Sequence, residues 1–223
     1  MVTTPPGSST GPAMTRSEVE AEIRESVARG DYRRAATRVL EVFGPEVLRF
    51  LRARLRGGSQ AEDAYLEFSE DLWVGLPAFR WESSLRVWLF VLARNAATRI
   101  GRSRRREVPL PSEHGGYPEL QEQVRSSTAQ YLRTAVKDRM REIRQRLAED
   151  DQTLLILRVD RRLEWRELAV VMNEVVDGAS EEELTRASAR VRTRFQAAKK
   201  RLRTLAEAEG LLGPLPTPVL RRE

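Results

Sequence analysis

The chain has 223 residues, 40% apolar and 32% charged, and contains no cysteine, which allows a buried core beneath an ionic surface and excludes disulfide frameworks, thiolate metal sites and thiol nucleophiles. Its net charge is +6 and its longest apolar run, Val87 to Ala93, is far too short to cross a bilayer. The opening MVTTPPGSSTGP lacks the basic start and apolar stretch of a secretory signal, so a reducing, cytoplasmic home is expected, with residues 1–14 as an unfolded lead-in.

The charges are segregated. Arg86 to Arg106 holds seven arginines and no acid, and Arg186 to Leu205 holds eight basic residues and no acid. Between Ser59 and Gly75 the pattern inverts, with Glu62, Asp63, Glu67, Glu70 and Asp71 and no base. Two cationic surfaces and one anionic surface imply at least two kinds of partner.

Apolar spacing is helical almost throughout, so the fold class is all-α, with two small helical domains joined by a flexible linker. Thr15 and Glu18 form a capping box for a first helix closed by Gly30. Asp31 caps a second helix that is expected to end at Gly44, and Pro45 then suits the first turn of a third, striped by Val47, Leu48, Leu51 and Leu55. Gly57-Gly58 precede the acidic helix, which buries Ala61, Ala64, Tyr65, Phe68 and Leu72. After Gly75 and Pro77, a short segment leads to a long helix from Leu85 to about Arg105, burying Leu85, Trp88, Leu92, Ala96 and Ile100.

Residues 107–118, with Pro109, Pro111, Pro118 and Gly115-Gly116, read as a linker between domains at 15–106 and 119–209, and 210–223 as a frayed tail. The second block carries a stripe from Leu120 through Ile143 to Leu147, then two stretches patterned as a helix-turn-helix. Leu168, Ala169 and Met172 pack the first inward; Val191, Phe195, Ala198 and Leu202 pack the second. That wheel turns Arg186, Arg190, Thr193, Gln196 and Lys200 outward, where they can read base edges, with Arg192, Lys199 and Arg203 placed for phosphates. The turn is longer than the ordinary three or four residues. Ser180 with Glu183 also caps a helix start, so a break near Ala187 is expected to direct the acidic tip Glu181 to Glu183 away from DNA.

Ala61 to Trp73 followed by Leu76 to Arg106 resembles the second conserved region of extracytoplasmic-function sigma factors of bacterial RNA polymerase, and Val191 to Arg203 resembles the recognition helix of their fourth region. The resemblance implies that the acidic helix docks on a coiled coil of the largest polymerase subunit through Asp63, Glu67, Phe68, Glu70, Asp71 and Leu72, with Leu66 standing where the family usually has glutamine. Trp73 is expected in the core. The resemblance further implies that Arg80, Trp81, Glu82, Ser83 and Ser84 capture a base flipped from the minus-ten element. Trp81 offers a stacking face, Glu82 an acceptor and the serines small donors. Asn95 matches a position lining that pocket, and Arg94, Arg99, Arg102, Arg104 and Arg105 would track the DNA backbone. Arg186, Arg190, Arg192, Thr193, Gln196, Lys199, Lys200 and Arg203 would bind the minus-thirty-five element. A linker of twelve residues reaches at most about 40 Å, beyond the roughly 34 Å between successive turns of one duplex face.

The implied partners are core RNA polymerase, promoter DNA and, from the family's habit, an anti-sigma factor; no membrane is implied. No catalytic residue, metal site or cofactor is expected. The lone histidine, His114, has no second ligand beside it, and Gly57-Gly58-Ser59 lacks the lysine and spacing of a phosphate loop. The alternatives are a conventional helix-turn-helix regulator that binds duplex DNA without being a polymerase subunit, and a helical adaptor. The first has no use for an acidic docking helix followed by an aromatic loop and an arginine helix, and the second has none for either cationic surface.

Overall fold

The computed structural model describes residues 15–55, 58–106, 138–175 and 178–211. The lead-in, the linker, the stripe from Leu120 to Val136, His114 and the end of the tail lie outside them. The described residues form helices and no strand: α1 (Arg16–Ala28), α2 (Tyr32–Arg54), α3 (Gly58–Gly75), a 3-10 turn (Leu76–Ala78), α4 (Leu85–Arg106), a helical stretch α5 over 138–144, α6 (Glu149–Leu155), α7 (Trp165–Val171) and α8 (Glu181–Ala208).

Local signals set most of the boundaries. Thr15 and Glu18 close the expected capping box at α1, and Asp31 caps α2 by accepting from the Arg34 N–H. Between them Gly30 turns the chain with φ +75°, a left-handed conformation glycine adopts without a Cβ penalty. Ser180 and Glu183 close a second capping box at α8.

One expected boundary is overturned. Gly44 does not end a helix, because α2 runs unbroken from Tyr32 to Arg54 with Pro45 inside it. An interior proline forfeits a backbone bond and costs about 3 kcal/mol. Here its ring faces solvent while Phe43, Val47, Phe50 and Leu51 bury the opposite side, and full burial of each such side chain returns about 1.5–3 kcal/mol. Gly44 serves close approach instead: a Cβ there would collide with the Tyr65 hydroxyl of α3.

The α3 stripe follows expectation, with Ala61, Ala64, Phe68 and Leu72 buried and Tyr65 half-buried. On α4 the stripe is rotated. Val87, Leu89, Phe90, Ala93 and Ala97 join Leu85 and Ala96 in the core, whereas Trp88, Leu92 and Ile100 stay half-buried. The rotation arises because α4 packs on α2, α3 and α7 together, so more than one face is covered. Phe50 and Phe90 meet edge to face at 5.6 Å across α2 and α4.

The second block packs onto the first. After α6 the helix widens to five-residue bonding over Ile156–Asp160, a π turn. Leu154, Leu155, Ile156, Leu157, Leu163 and Leu168 belong to the same apolar cluster as the α2 and α4 core. α7 and α8 then pack together, with Trp165 edge-on to Phe195 at 5.4 Å. α8 is continuous, so the expected break near Ala187 is absent. The reason is local: the stretch from Glu181 to Ala208 contains neither glycine nor proline, and Ala187 and Ser188 are both buried.

Candidate nucleic-acid interface

Three surfaces carry the chemistry. The first is the outer face of α3. Because Ala61, Ala64, Phe68 and Leu72 face inward, the helical wheel turns Asp63, Leu66, Glu70, Trp73 and Val74 to solvent. Phe68 and Leu72, expected among the docking residues, are fully buried and cannot touch a partner. The exposed apolar atoms are those of Leu66, 64% accessible, Trp73, 53%, and Val74, 77%, which sequence reasoning assigned to a lost polar contact, to the core, or to nothing. The signal was available: spacings of four, three and one from Leu66 through Glu70, Trp73 and Val74 define one side of the helix opposite the buried stripe. Glu67 and Asp71 flank this face and accept from Arg99 of α4 at 2.6 Å each. Asp71 first and Glu67 second hold that guanidinium more firmly protonated than usual.

The second surface is the aromatic loop between the 3-10 turn and α4. Phe79 stacks on Trp88 at 4.5 Å and meets Trp81 at 4.8 Å, so the three half-buried rings form one pile. Trp81 is half-buried, with the Arg24 guanidinium 5.4 Å from its ring centroid, and its φ of 60° lies in the left-handed region that a bulky residue rarely occupies. Glu82 pairs with Arg80 at 3.2 Å. Ser83 is half-buried, and the Ser84 hydroxyl accepts from the Val87 N–H at 3.3 Å, which caps α4. Glu20 of α1 adds a second cap by accepting from the Leu85 N–H at 2.8 Å, so two helices fix where the loop ends. Asn95 lies half-buried on α4 and Arg102 is exposed. The backbone places Arg104 and Arg105 in the last turns of the same helix.

The third surface is α8. All eight residues expected to face DNA, Arg186, Arg190, Arg192, Thr193, Gln196, Lys199, Lys200 and Arg203, are exposed, opposite the buried Val191, Phe195 and Ala198. Glu174, in the turn between α7 and α8, organises part of this face. Its carboxylate lies 3.1 Å from Arg190 Nε and accepts from Arg194 Nη1 at 2.6 Å, while its backbone carbonyl accepts from Arg190 Nη2 at 2.9 Å. Burial pushes the Glu174 carboxyl up, but hydrogen bonds from Arg190 and Arg194 and their charge outweigh it, and the group lies below the usual carboxylate range. Arg158 and Arg192 flank the Trp165 ring at 4.3 and 5.3 Å from its centroid. Glu174 and Trp165 escaped the sequence reading because neither belongs to the basic stretch.

Not every arginine of α4 is a candidate for DNA. Arg86 is drawn into the interior, donating to Glu46 at 2.6 Å and to the Arg161 carbonyl at 2.7 Å. Among the described residues, no group of His, Asp and Glu could hold a metal ion, and no helix is long and apolar enough to cross a membrane.

Residues 39–107 match the sigma-70 region 2 family, a span that takes in α2 from Val39 onward, all of α3, the aromatic loop and α4. No curated protein matches the chain. Among solved structures, the chain is similar to the sigma factor RpoE from Bartonella quintana, determined in complex with the anti-sigma factor NepR. The identity is 18%, with a TM-score of 0.51 over 78% of this chain and 97% of that one, a likeness of fold that reaches beyond region 2 into the second block. Residues 39–107 thus carry a sigma-70 region 2, and the chain shares its fold with a solved sigma factor along most of its length.

Proposed function

We infer that this chain is an extracytoplasmic-function sigma factor, which directs RNA polymerase to promoters by dividing the work among the three surfaces. The observation that carries the reading is their order within one region 2 match: a solvent-facing strip of Leu66, Glu70, Trp73 and Val74, then the pile of Phe79 and Trp81, then the arginine side of α4. The α3 strip suits a basic partner surface with an apolar centre, so it docks on core polymerase through Leu66, Trp73 and Val74, with Asp63, Glu67, Glu70 and Asp71 as charged rim. Trp81 stacks on an extruded minus-ten base, Glu82 accepts from its exocyclic amine, and Asn95 lines the pocket. Arg80 and the helix residues Arg94, Arg99, Arg102, Arg104 and Arg105 follow the backbone, while the exposed face of α8 reads the minus-thirty-five duplex.

Opening a duplex opposes stacking that averages about 1.4 kcal/mol per step, whereas one stacked base returns about 1–3 kcal/mol. A single captured base therefore cannot melt several pairs, which makes this chain a subunit and assigns the remainder to polymerase. The solved sigma factor is bound to an anti-sigma factor, and a protein inhibitor of that class is a partner for this chain too.

Run-off transcription with purified core polymerase on a genomic fragment library tests the reading: discrete, promoter-dependent transcripts are expected, and none with either component alone. Trp81→Ala is expected to leave association with core unchanged and to reduce open-complex formation roughly tenfold, read by permanganate footprinting. Equal loss of both would make the loop a structural element.

A further inference from the structure

The match to region 2 begins at residue 39, so α1 stands outside it. Yet α1 reaches the aromatic loop at two points. Val19, Ile23 and Ser26 face inward and seat α1 against α2. Glu20 and Arg24, four residues apart and so on one side of the helix, both extend to the loop. Glu20 accepts from the Leu85 N–H at 2.8 Å, where the loop gives way to α4, and the Arg24 guanidinium lies over the Trp81 ring, 5.4 Å from its centroid. Arg24 is exposed, and among the described residues its side chain has no ion pair or hydrogen bond, which leaves the ring as its partner.

We propose that Arg24 is the second wall of the base-capture site: an extruded base enters between the Trp81 indole and the Arg24 guanidinium, so that α1 holds the base together with the loop of region 2. This rests on the reading that Trp81 stacks on a flipped base.

The dimensions fit. A base between two planar groups needs about 6.8 Å, two stacking steps of about 3.4 Å, so the guanidinium retreats by at least about 1.4 Å from its present 5.4 Å. An exposed side chain on a flexible stem makes that movement, and with no carboxylate to leave behind it gives up its contact with the ring alone. Guanidinium planes stack on unpaired bases as aromatic rings do. Trp81 is held for this by Phe79 on the inner side of the pile and by a backbone fixed at φ 60°. The two charged residues then divide the task. Glu82 chooses the base through its exocyclic amine, whereas Arg24 adds grip on any base, because every base offers a face to stack on.

The probe is a fluorescent non-template strand covering the minus-ten element of a promoter recovered in the run-off experiment, bound by the full chain with core polymerase in saturating amount. An abasic site is moved through the element. The captured position is the one where loss of the base weakens binding by the parent but not by Trp81→Ala. There Arg24→Ala is expected to weaken binding of the intact strand about tenfold, alike for all four bases, and to leave the abasic strand unchanged. Arg24→Lys separates stacking from charge. A lysine keeps the charge and the attraction to the indole but has no plane to lay on a base, so it is expected to lose as much as alanine does. Parent-like binding by Arg24→Lys would make the residue a phosphate contact or a prop for Trp81 and overturn the second wall. Equal loss on intact and abasic strands, or no loss with alanine, would overturn it too. If Trp81→Ala removes the base dependence at no position, the capture reading itself falls; if Trp81 passes and Arg24 does not, only the second wall falls.

Discussion

Glu46 shows how a polar residue inside a helix interior is held. It is buried on α2, receives hydrogen bonds from Arg86 at 2.6 Å and Arg16 at 3.3 Å, and connects α1, α2 and α4 through one carboxylate. Burial pushes its pKa up, but the hydrogen bond and charge of Arg86, with Arg16 behind it, more than offset this, and the net shift is downward. A depressed carboxylate contributes stability that is present above its unfolded pKa, about 4.3, and is lost as pH falls through the folded value. Glu46→Gln is therefore expected to cost about 2 kcal/mol at neutral pH, less than the 3–5 of a fully sealed pair because Arg16 is exposed. The deficit should shrink as pH falls below about 4.3 and through the folded value, and urea unfolding of both proteins across that acid range measures it.

The same scale separates what was legible from what was not. The buried stripe of α3 follows from spacing alone, yet Phe68 and Leu72 were also assigned to docking by family likeness, and burial forbids it. Trp73, expected in the core, is exposed instead. Aromatic residues are read as interior because of their area, and only the wheel says otherwise. Trp73→Ala is expected to weaken binding to core polymerase about tenfold, as removal of an aromatic anchor does, with a melting temperature within a degree or two of the parent. Fluorescence anisotropy and thermal scans separate the two effects.

At the scale of elements, propensity and packing disagree at Gly44-Pro45. The dipeptide reads as a stop, and the sequence contains no local sign that α3 will press against this point. The helix continues because tertiary contact outweighs the local cost. A double-mutant cycle measures the contact. Gly44→Ala is expected to destabilise by about 1–2 kcal/mol, since the new methyl meets the Tyr65 hydroxyl. In a Tyr65→Phe background the same change is expected to be neutral or stabilising by up to about 1 kcal/mol, as alanine outranks glycine in a helix. Additive costs in chemical denaturation would mean that the two residues do not couple. The continuity of α8 has a similar lesson: a capping box at Ser180 and an unbroken run of helix formers were visible, and the expected break came from the wish to turn Glu181 to Glu183 away from phosphates rather than from any helix-breaking residue.

Across the whole molecule, the helical class, the order of the two blocks and the basic face of α8 could all be read from periodicity and charge. The association of the blocks could not. It depends on Arg54 with Thr153, 99 residues apart, and on Arg94 with Asp150, 56 apart, pairs that no local pattern announces among so many arginines and acids. The apolar part is equally hidden, because Leu154 to Leu157 reads as an ordinary buried run whether it packs on its own block or on α2 and α4.

The wide turn from Ile156 to Asp160 has one more implication. Where a helix bonds back five residues, as the Arg161 N–H does to the Ile156 carbonyl at 3.1 Å, one amino acid more is accommodated than an ordinary winding would hold. In ordinary winding one extra residue would swing everything downstream by about 100°, but the wide turn absorbs it, so deleting the exposed Val159 and restoring regular winding would leave the downstream aim nearly unchanged. The loss or gain of a single codon at this point is thus tolerated where it falls, and the basic side of the last helix keeps its bearing.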